Sequence, residues 1–251
     1  MRKTLAAATA GLTLALLAGA PAARAADQAP LTRPDVERIV HDYLLQNPEV
    51  IYQAVQELQR RHDAEEAKRQ QVAVGEHKDQ IFANGADPVG GNPKGDVTLV
   101  EFFDYHCGYC RGMAPQLRAL LSQDPKVRFV FKDIPILSPE STVAAKAALA
   151  AARQGQGKYQ DFHFALMQSK DLTREAIFDT AAKVGLDTKR LAQDMDDPAI
   201  AAKIDQNLKL AEDLGVNGTP AFVIGDTLIP GATEPARLAE LIAKQREKAG
   251  G

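Results

Sequence analysis

The 251-residue chain has no tryptophan, two cysteines, four methionines and five histidines. Two cysteines cannot build a disulfide framework, nor a four-cysteine zinc site. There is no excess of basic charge: 30 Lys and Arg stand against 33 Asp and Glu, and the pI is near 6.0. That balance argues against nucleic acid as a partner, which would call for a basic face. No apolar run follows the N-terminus and mean hydropathy is −0.24, which excludes a polytopic membrane protein. Internal repeats and low-complexity tracts are also missing. What remains, 45% hydrophobic and 25% charged residues, is the composition of an ordinary folded chain of one or two domains.

The first residues carry an address. Arg2 and Lys3 form a positive head, Leu5 to Ala20 runs without charge, and Ala23-Arg24-Ala25 is a small-x-small exit. These are the three parts of a secretory signal peptide, residues 1–25, expected to be cleaved after Ala25. The apolar stretch is shorter than the ~20 residues a membrane span needs. Removing Arg2, Lys3 and Arg24 from the 30 basic residues leaves 27 against 33 acidic ones, a net charge near −6. A signal of bacterial type would deliver the chain to the periplasm, an oxidising compartment.

Residues 26–84 are expected to form a helical arm. Thr32-Arg33-Pro34-Asp35 is a helix start, with a capping residue, an early proline and an acid three positions on. Val36, Ile39, Val40, Tyr43 and Leu44 recur at helical spacing. Asn47-Pro48-Glu49 interrupts and restarts the helix, with Asn47 as the new cap and Pro48 at its first position. Val50, Ile51, Ala54, Val55 and Leu58 continue the stripe, and Gln59 to Gln80 then carries ten charged residues, balanced five to five. Residues 85–96 hold four Gly and two Pro, the composition of a linker and of a domain boundary.

Beyond it, Val97 to Phe103 has the apolar, β-branched pattern of a buried strand. It runs into Asp104-Tyr105-His106-Cys107-Gly108-Tyr109-Cys110 and an amphipathic stretch from Arg111 to Leu121. Val127 to Lys132 is a second strand. Helical patterns follow at 139–154, 158–168, 173–184 and 198–214. Ala221 to Ile229 has a hairpin pattern with a two-residue turn, Gly225-Asp226, and a last helix is expected over 234–248.

A strand, a Cys-x-x-Cys and a helix in that order place Cys107 at a helix N-terminus. Unpaired N–H groups and the positive end of the helix dipole lower a thiol pKa there. Cys107 is therefore the expected nucleophile, and Cys110, one turn on, the thiol that resolves its mixed disulfide. A purely structural bridge across two residues would add little entropic stabilisation.

Phe102 to Cys110, followed by Gly218-Thr219-Pro220 ahead of a strand, resembles the DsbA-like periplasmic branch of the thioredoxin superfamily. The resemblance implies an α/β thioredoxin fold over 97–251, with a helical insertion at about 139–215. It implies a cis peptide at Thr219-Pro220 facing the cysteines, with Thr219 offering its backbone to substrate. It also places an acid, Glu101, beneath the disulfide. That carboxyl would relay a proton to or from Cys110, or else form a structural ion pair with Lys132. His106 would either stabilise the Cys107 thiolate or sit exposed with little effect. Gly108 and Tyr109 would tune the pair, and the other histidines are expected at the surface or in helix packing. No resident metal or organic cofactor is implied.

The whole layout, helical arm then CGYC domain, looks like the suppressor-of-copper-sensitivity C group. That likeness implies a homo-oligomer through residues 31–80, a trimer being favoured, although helices packed back on the same chain would also bury the stripe. It implies disulfide isomerase or reductase activity on misfolded or copper-oxidised proteins, and a membrane reductase related to DsbD or ScsB that keeps the dithiol reduced. Two alternatives share the motifs: a dithiol oxidase, and a copper protein holding Cu(I) with Cys107 and Cys110.

Overall fold

The computed structural model describes residues 30–250, so the expected signal peptide lies outside the described residues. The chain forms two compact units, one reaching to Glu57 and one from Leu58 onward.

The first unit holds α1 (Arg33–Gln46) and the opening turns of α2 (Glu49–Glu76). Thr32 starts α1, its backbone N–H and hydroxyl both donating to the Asp35 carboxylate at 3.2 and 2.6 Å. Asn47 serves both helices: its backbone N–H and side-chain amide donate to the Tyr43 carbonyl and close α1, while its own carbonyl accepts the Val50 N–H at 3.1 Å where α2 opens. Proline at 48 cannot continue the first ladder, and the chain restarts at Glu49. No residue of α1 is buried, and Val36, Ile39, Val40 and Tyr43 lie about half exposed along one helical stripe.

The second unit is built on a five-stranded sheet in the order β1-β3-β2-β4-β5, from β1 (Val89–Gly91), β2 (Val97–Phe103), β3 (Val127–Asp133), β4 (Ala221–Ile224) and β5 (Thr227–Pro230). β2 and β3 are parallel, while β1 on β3, β4 on β2 and β5 on β4 are antiparallel. Central strands buried on both faces need apolar side chains on both, which explains the unbroken runs in β2 and β3. One face carries Val97, Leu99, Phe103, Phe129, Phe131 and Phe222 against α4 (Gly108–Gln123), α6 (Gln156–Gln168) and α10 (Pro235–Gly250). The other carries Val100, Phe102, Val130 and Val223 against Val74 of α2, Ile81 of α3 (Lys78–Phe82) and Leu210 of α9 (Pro198–Asp213). The far end of the expected arm is thus part of the second unit, because Val74 and Ile81 bury themselves in its core.

Helices α5 (Pro139–Ala152), α7 (Arg174–Lys183) and α8 (Thr188–Met195) complete the insertion together with α6 and α9. Six alanines of α5 are fully buried, and their small side chains let this helix pass through the middle of the insertion.

Residues 85–96 require a correction. The expected linker contains β1, whose Val89 and Gly91 N–H groups donate to Gln156 and Gln160 of α6 at 2.8 and 2.9 Å. Those bonds cover an edge that would otherwise stay open. The glycines are there for close approach, not for slack. Gly91 has φ +62°, and a Cβ on Gly95 would stand 2.5 Å from both the Arg128 nitrogen and the Lys126 oxygen. Gly95→Ala should therefore destabilise the protein by about 1–3 kcal/mol, the cost of forcing extra volume into a packed site. Denaturant unfolding would read this as a lower midpoint at unchanged slope.

Candidate active site

β2 ends at Phe103, a turn of three residues follows, and α4 begins directly after Cys107. Cys107 is the N-cap of α4, with extended backbone angles, and its Sγ accepts the Cys110 N–H at 3.2 Å. From the other side Sγ meets the Thr219 carbonyl oxygen at 3.2 Å, and the Thr219-Pro220 peptide is cis. The expected pair and the expected proline loop are thus brought together, and both cysteines are free thiols.

Their environments push the two thiols apart. Cys107 is lowered to about 6, first by the hydrogen bond from the Cys110 thiol, then by Thr219 and the Cys110 and Tyr109 N–H groups, against the effect of burial. Cys110 is raised, first by burial, then by its bond to Cys107 and by the charge of Glu101. Cys107 is thus driven towards the thiolate and Cys110 towards the protonated thiol.

Glu101 is fully buried on the same sheet face as Leu99 and Phe103, and neither of its oxygens has a hydrogen-bond partner. Burial raises its pKa well above the carboxylate range, with Cys107 and Asp133 adding to the rise. The ion pair with Lys132 does not form. Glu101 is opposite Phe131 in the parallel register, so Lys132, one residue on, points to the other face. There it contacts Asp87 and donates to the Gln80 carbonyl at 2.6 Å, and Lys203 of α9 meets the same Asp87 carboxylate.

His106 is exposed, and its ring Nδ1 lies 2.6 Å from the Ser138 hydroxyl that caps α5. It ties the active-site turn to the insertion and makes no contact with Cys107 Sγ. Gly108 is exposed, and Tyr109 is 74% exposed beside a cleft of ≈ 530 Å³ lined by Met113, Gln116, Thr233 and Glu234.

Two contributors, Asp104 and Asp133, escaped the sequence, and a third, His163, has the helix-packing place expected of it. Asp104 is buried and accepts four hydrogen bonds, from the N–H groups of His106, Ile136 and Leu137 and from the Ser141 hydroxyl. It clamps the turn before Cys107 to the loop that presents Ile136 and Leu137 to solvent. His163, buried among Phe103, Phe131 and Tyr159, lies 3.0 Å from the Tyr105 hydroxyl and is held neutral by burial, its pKa lowered to about 3. Asp133, at the end of β3, is fully buried with both oxygens unpartnered. Asp133 becomes visible only once the strand register is known.

Among the described residues no group of three or more His, Cys, Asp or Glu is placed to hold a metal, and no helix is long and apolar enough to cross a membrane.

Two family descriptions match the chain: "DSBA-like thioredoxin domain" over residues 98–243 and "Copper resistance protein ScsC N-terminal domain" over residues 33–65. A thioredoxin-like oxidoreductase from Silicibacter pomeroyi is 45% identical, covers 67% of this chain and 97% of its own, and superposes with a TM-score of 0.64. ScsC of Proteus mirabilis in a transitional conformation is 31% identical over 86% of this chain and 97% of its own, at a TM-score of 0.65. The Na(+)/H(+) antiporter NhaA of Herminiimonas arsenicoxydans is 31% identical over 164 residues, but the chain spans only 26% of that protein's length.

Proposed function

Because the chain belongs to the family of DsbA-like thioredoxin domains and is a thiol–disulfide oxidoreductase, we propose that it acts as a disulfide isomerase and reductase in the periplasm. The observation that carries the isomerase reading is the stripe of α1. Val36, Ile39, Val40 and Tyr43 are exposed on a stable amphipathic helix, within the residues that match the ScsC N-terminal domain. An apolar stripe of this kind buries itself by self-association, and a trimer through residues 31–80 would hold several Cys107 thiolates around one client. The cleavable segment 1–25 supplies the periplasmic address.

The chemistry follows from the two thiols. The Cys107 thiolate attacks a wrong disulfide of a misfolded or copper-oxidised client, forming a mixed disulfide and freeing one client thiolate. In isomerisation a client thiolate then attacks the mixed disulfide, restoring Cys107 with no net electron transfer. In reduction Cys110 resolves it instead, and two electrons pass from the dithiol to the client. The oxidised pair must then be reduced, the role assigned to a membrane reductase of the DsbD or ScsB kind. A Cys107 pKa of about 6 supports this direction, since the strongly oxidising thiols of this superfamily titrate near 3.5.

Refolding of a scrambled-disulfide substrate in a mild redox buffer tests the proposal. The wild type is expected to recover native substrate. A full-length variant with Ile39, Val40 and Tyr43 changed to Glu is expected to keep dithiol reduction and lose that recovery, because α1 has no buried residue for the charges to disturb. No recovery by the wild type, with rapid oxidation of a reduced dithiol peptide, would assign the chain as an oxidase. Retention of Cu(I) by the reduced protein against a moderate competitor would assign copper binding to the two thiols.

A further inference from the structure

We propose that Asp133 forms a functional pair with Glu101 beneath the cysteines, the two carboxyls together taking up the proton that Cys110 releases when it resolves a mixed disulfide. The proposal rests on the family's dithiol chemistry and not on the isomerase reading.

Position is the first argument. Glu101 is opposite Phe131 on the parallel β2–β3 ladder, and Asp133 is two residues further along β3. Side chains two apart on a strand share a face, so Asp133 and Glu101 face the same side as Phe131, towards Tyr105 and α6. Both residues are at most 1% exposed, and none of their four carboxyl oxygens has a hydrogen-bond partner. An unpaired buried carboxylate is costly, and two on one face are costlier still, so natural sequences retain such a pair only with compensation.

Charge is the second. Asp133 interacts with Glu101 and Asp104 on the β2 side, with Tyr105 in the turn, with Tyr159 on α6, and with Asp87 and Lys203 on the opposite side. The carbonyl of Asp133 accepts the Asn207 amide of α9 at 3.2 Å. The buried group of Asp87, Lys132 and Lys203 carries two ammoniums for one carboxylate when all are ionised, an excess positive charge. Within that group Asp87 raises Asp133 and Lys203 opposes the rise, whereas the rise of Glu101 comes from burial, Cys107 and Asp133. Burial raises both carboxyls, and two unpartnered acids on one buried face disfavour a double negative charge.

The step balances as follows. The mixed disulfide joins Cys107 Sγ to a client sulfur. The Cys110 thiol gives its proton to an ionised carboxyl of the pair. The resulting thiolate attacks Cys107 Sγ, a Cys107–Cys110 bond forms, and the client sulfur leaves as a thiolate. The dithiol is oxidised by two electrons and the client disulfide reduced by two.

Stopped-flow reaction of the reduced full-length protein with oxidised glutathione separates the two steps. With Asp133→Asn the first step, attack by Cys107, is expected to keep its rate and pH profile. The second step is expected to slow about tenfold near neutral pH, less than a complete general base supplies, and to rise only at higher pH. Glu101→Gln should give a similar loss, and the double variant little more than the larger single one, since both act on one proton. A second step in Asp133→Asn with the wild-type pH profile, or two losses that add in full, would overturn the pair. Should the variant not fold, the reduced-minus-oxidised infrared spectrum of the wild type with carboxyl-labelled aspartate decides. An isotope-shifted carboxyl band supports the assignment, and its absence overturns it.

Discussion

Cys107→Ser is expected to abolish disulfide exchange, with a fall of roughly 10³-fold or more in the reduction of a dithiol-reactive probe, because a serine hydroxyl carries no anion at neutral pH. The fold should survive. Sγ meets the Cys110 N–H and the Thr219 carbonyl, and an oxygen at that N-cap still accepts the first of them. Loss of activity in a variant that still unfolds cooperatively, its midpoint lowered by no more than the thiolate's own contribution, therefore separates chemistry from structure. The pH dependence of the wild type tests the same group more finely. Alkylation by iodoacetamide should rise with pH up to about 6 and level off above it, where an unperturbed thiol would still be rising to about 8.5. The linkage has a definite sign. The folded pKa lies below the unfolded one, so the thiolate's contribution to stability of the reduced protein is complete above the unfolded value. It is lost as pH falls through about 6. The disulfide form has no such group, and its stability should be flat over that window, apart from carboxyls and histidines common to both forms.

What was legible in the sequence, and what was not, follows one physical line. Local signals were read correctly wherever the local chain decides the structure. The strand–Cys-x-x-Cys–helix order, the Ser138-Pro139 helix start and the Gly225-Asp226 hairpin all rest on residues close together in sequence. The errors lie where a distant partner decides. Gly90, Gly91 and Gly95 look like slack, yet they are small because β3 and α6 press against them. Asn47 has two helices to serve, and only the geometry of the break shows that its side chain goes to the first. Lys132 looked like a partner for Glu101 because the two lie on neighbouring strands. The parity of the parallel register puts them on opposite faces, and a shift of one residue is all it takes. The same parity brings Asp133 to Glu101, a relation no motif announces. The cysteine pair, its proline loop and Glu101 were therefore visible in the sequence, while Asp133 had to wait for the sheet.

Asp87 is the residue whose loss should cost stability most. Its carboxylate meets both Lys132 and Lys203, all three side chains are buried, and it sits in the segment that looked like a linker. Asp87→Ala leaves two buried ammoniums facing each other without an anion, and removal of one partner from a buried pair costs about 3–5 kcal/mol. Burial already lowers Lys132 to about 8, with Asp87 opposing the fall and Lys203 adding to it. Without Asp87 that pKa must drop further. A lysine held lower in the folded than in the unfolded state penalises folding most when pH lies below the folded value, and the penalty lifts as pH rises to the unfolded value near 10.4. Denaturant unfolding of Asp87→Ala against the wild type should accordingly show a larger deficit at pH 7 than at pH 10. An acidic residue removed from the surface would show a small deficit at both. The replacement Asp87→Leu, Lys132→Met and Lys203→Met together should recover most of the loss, since apolar groups of similar volume can match a buried ion cluster. If the recovered protein resolves mixed disulfides more slowly while folding as well as the wild type, the cluster is retained for the charge it sets beside Asp133. If its exchange kinetics match the wild type, the cluster serves packing between β3, α3 and α9 alone, and Asp133 does not depend on its charge.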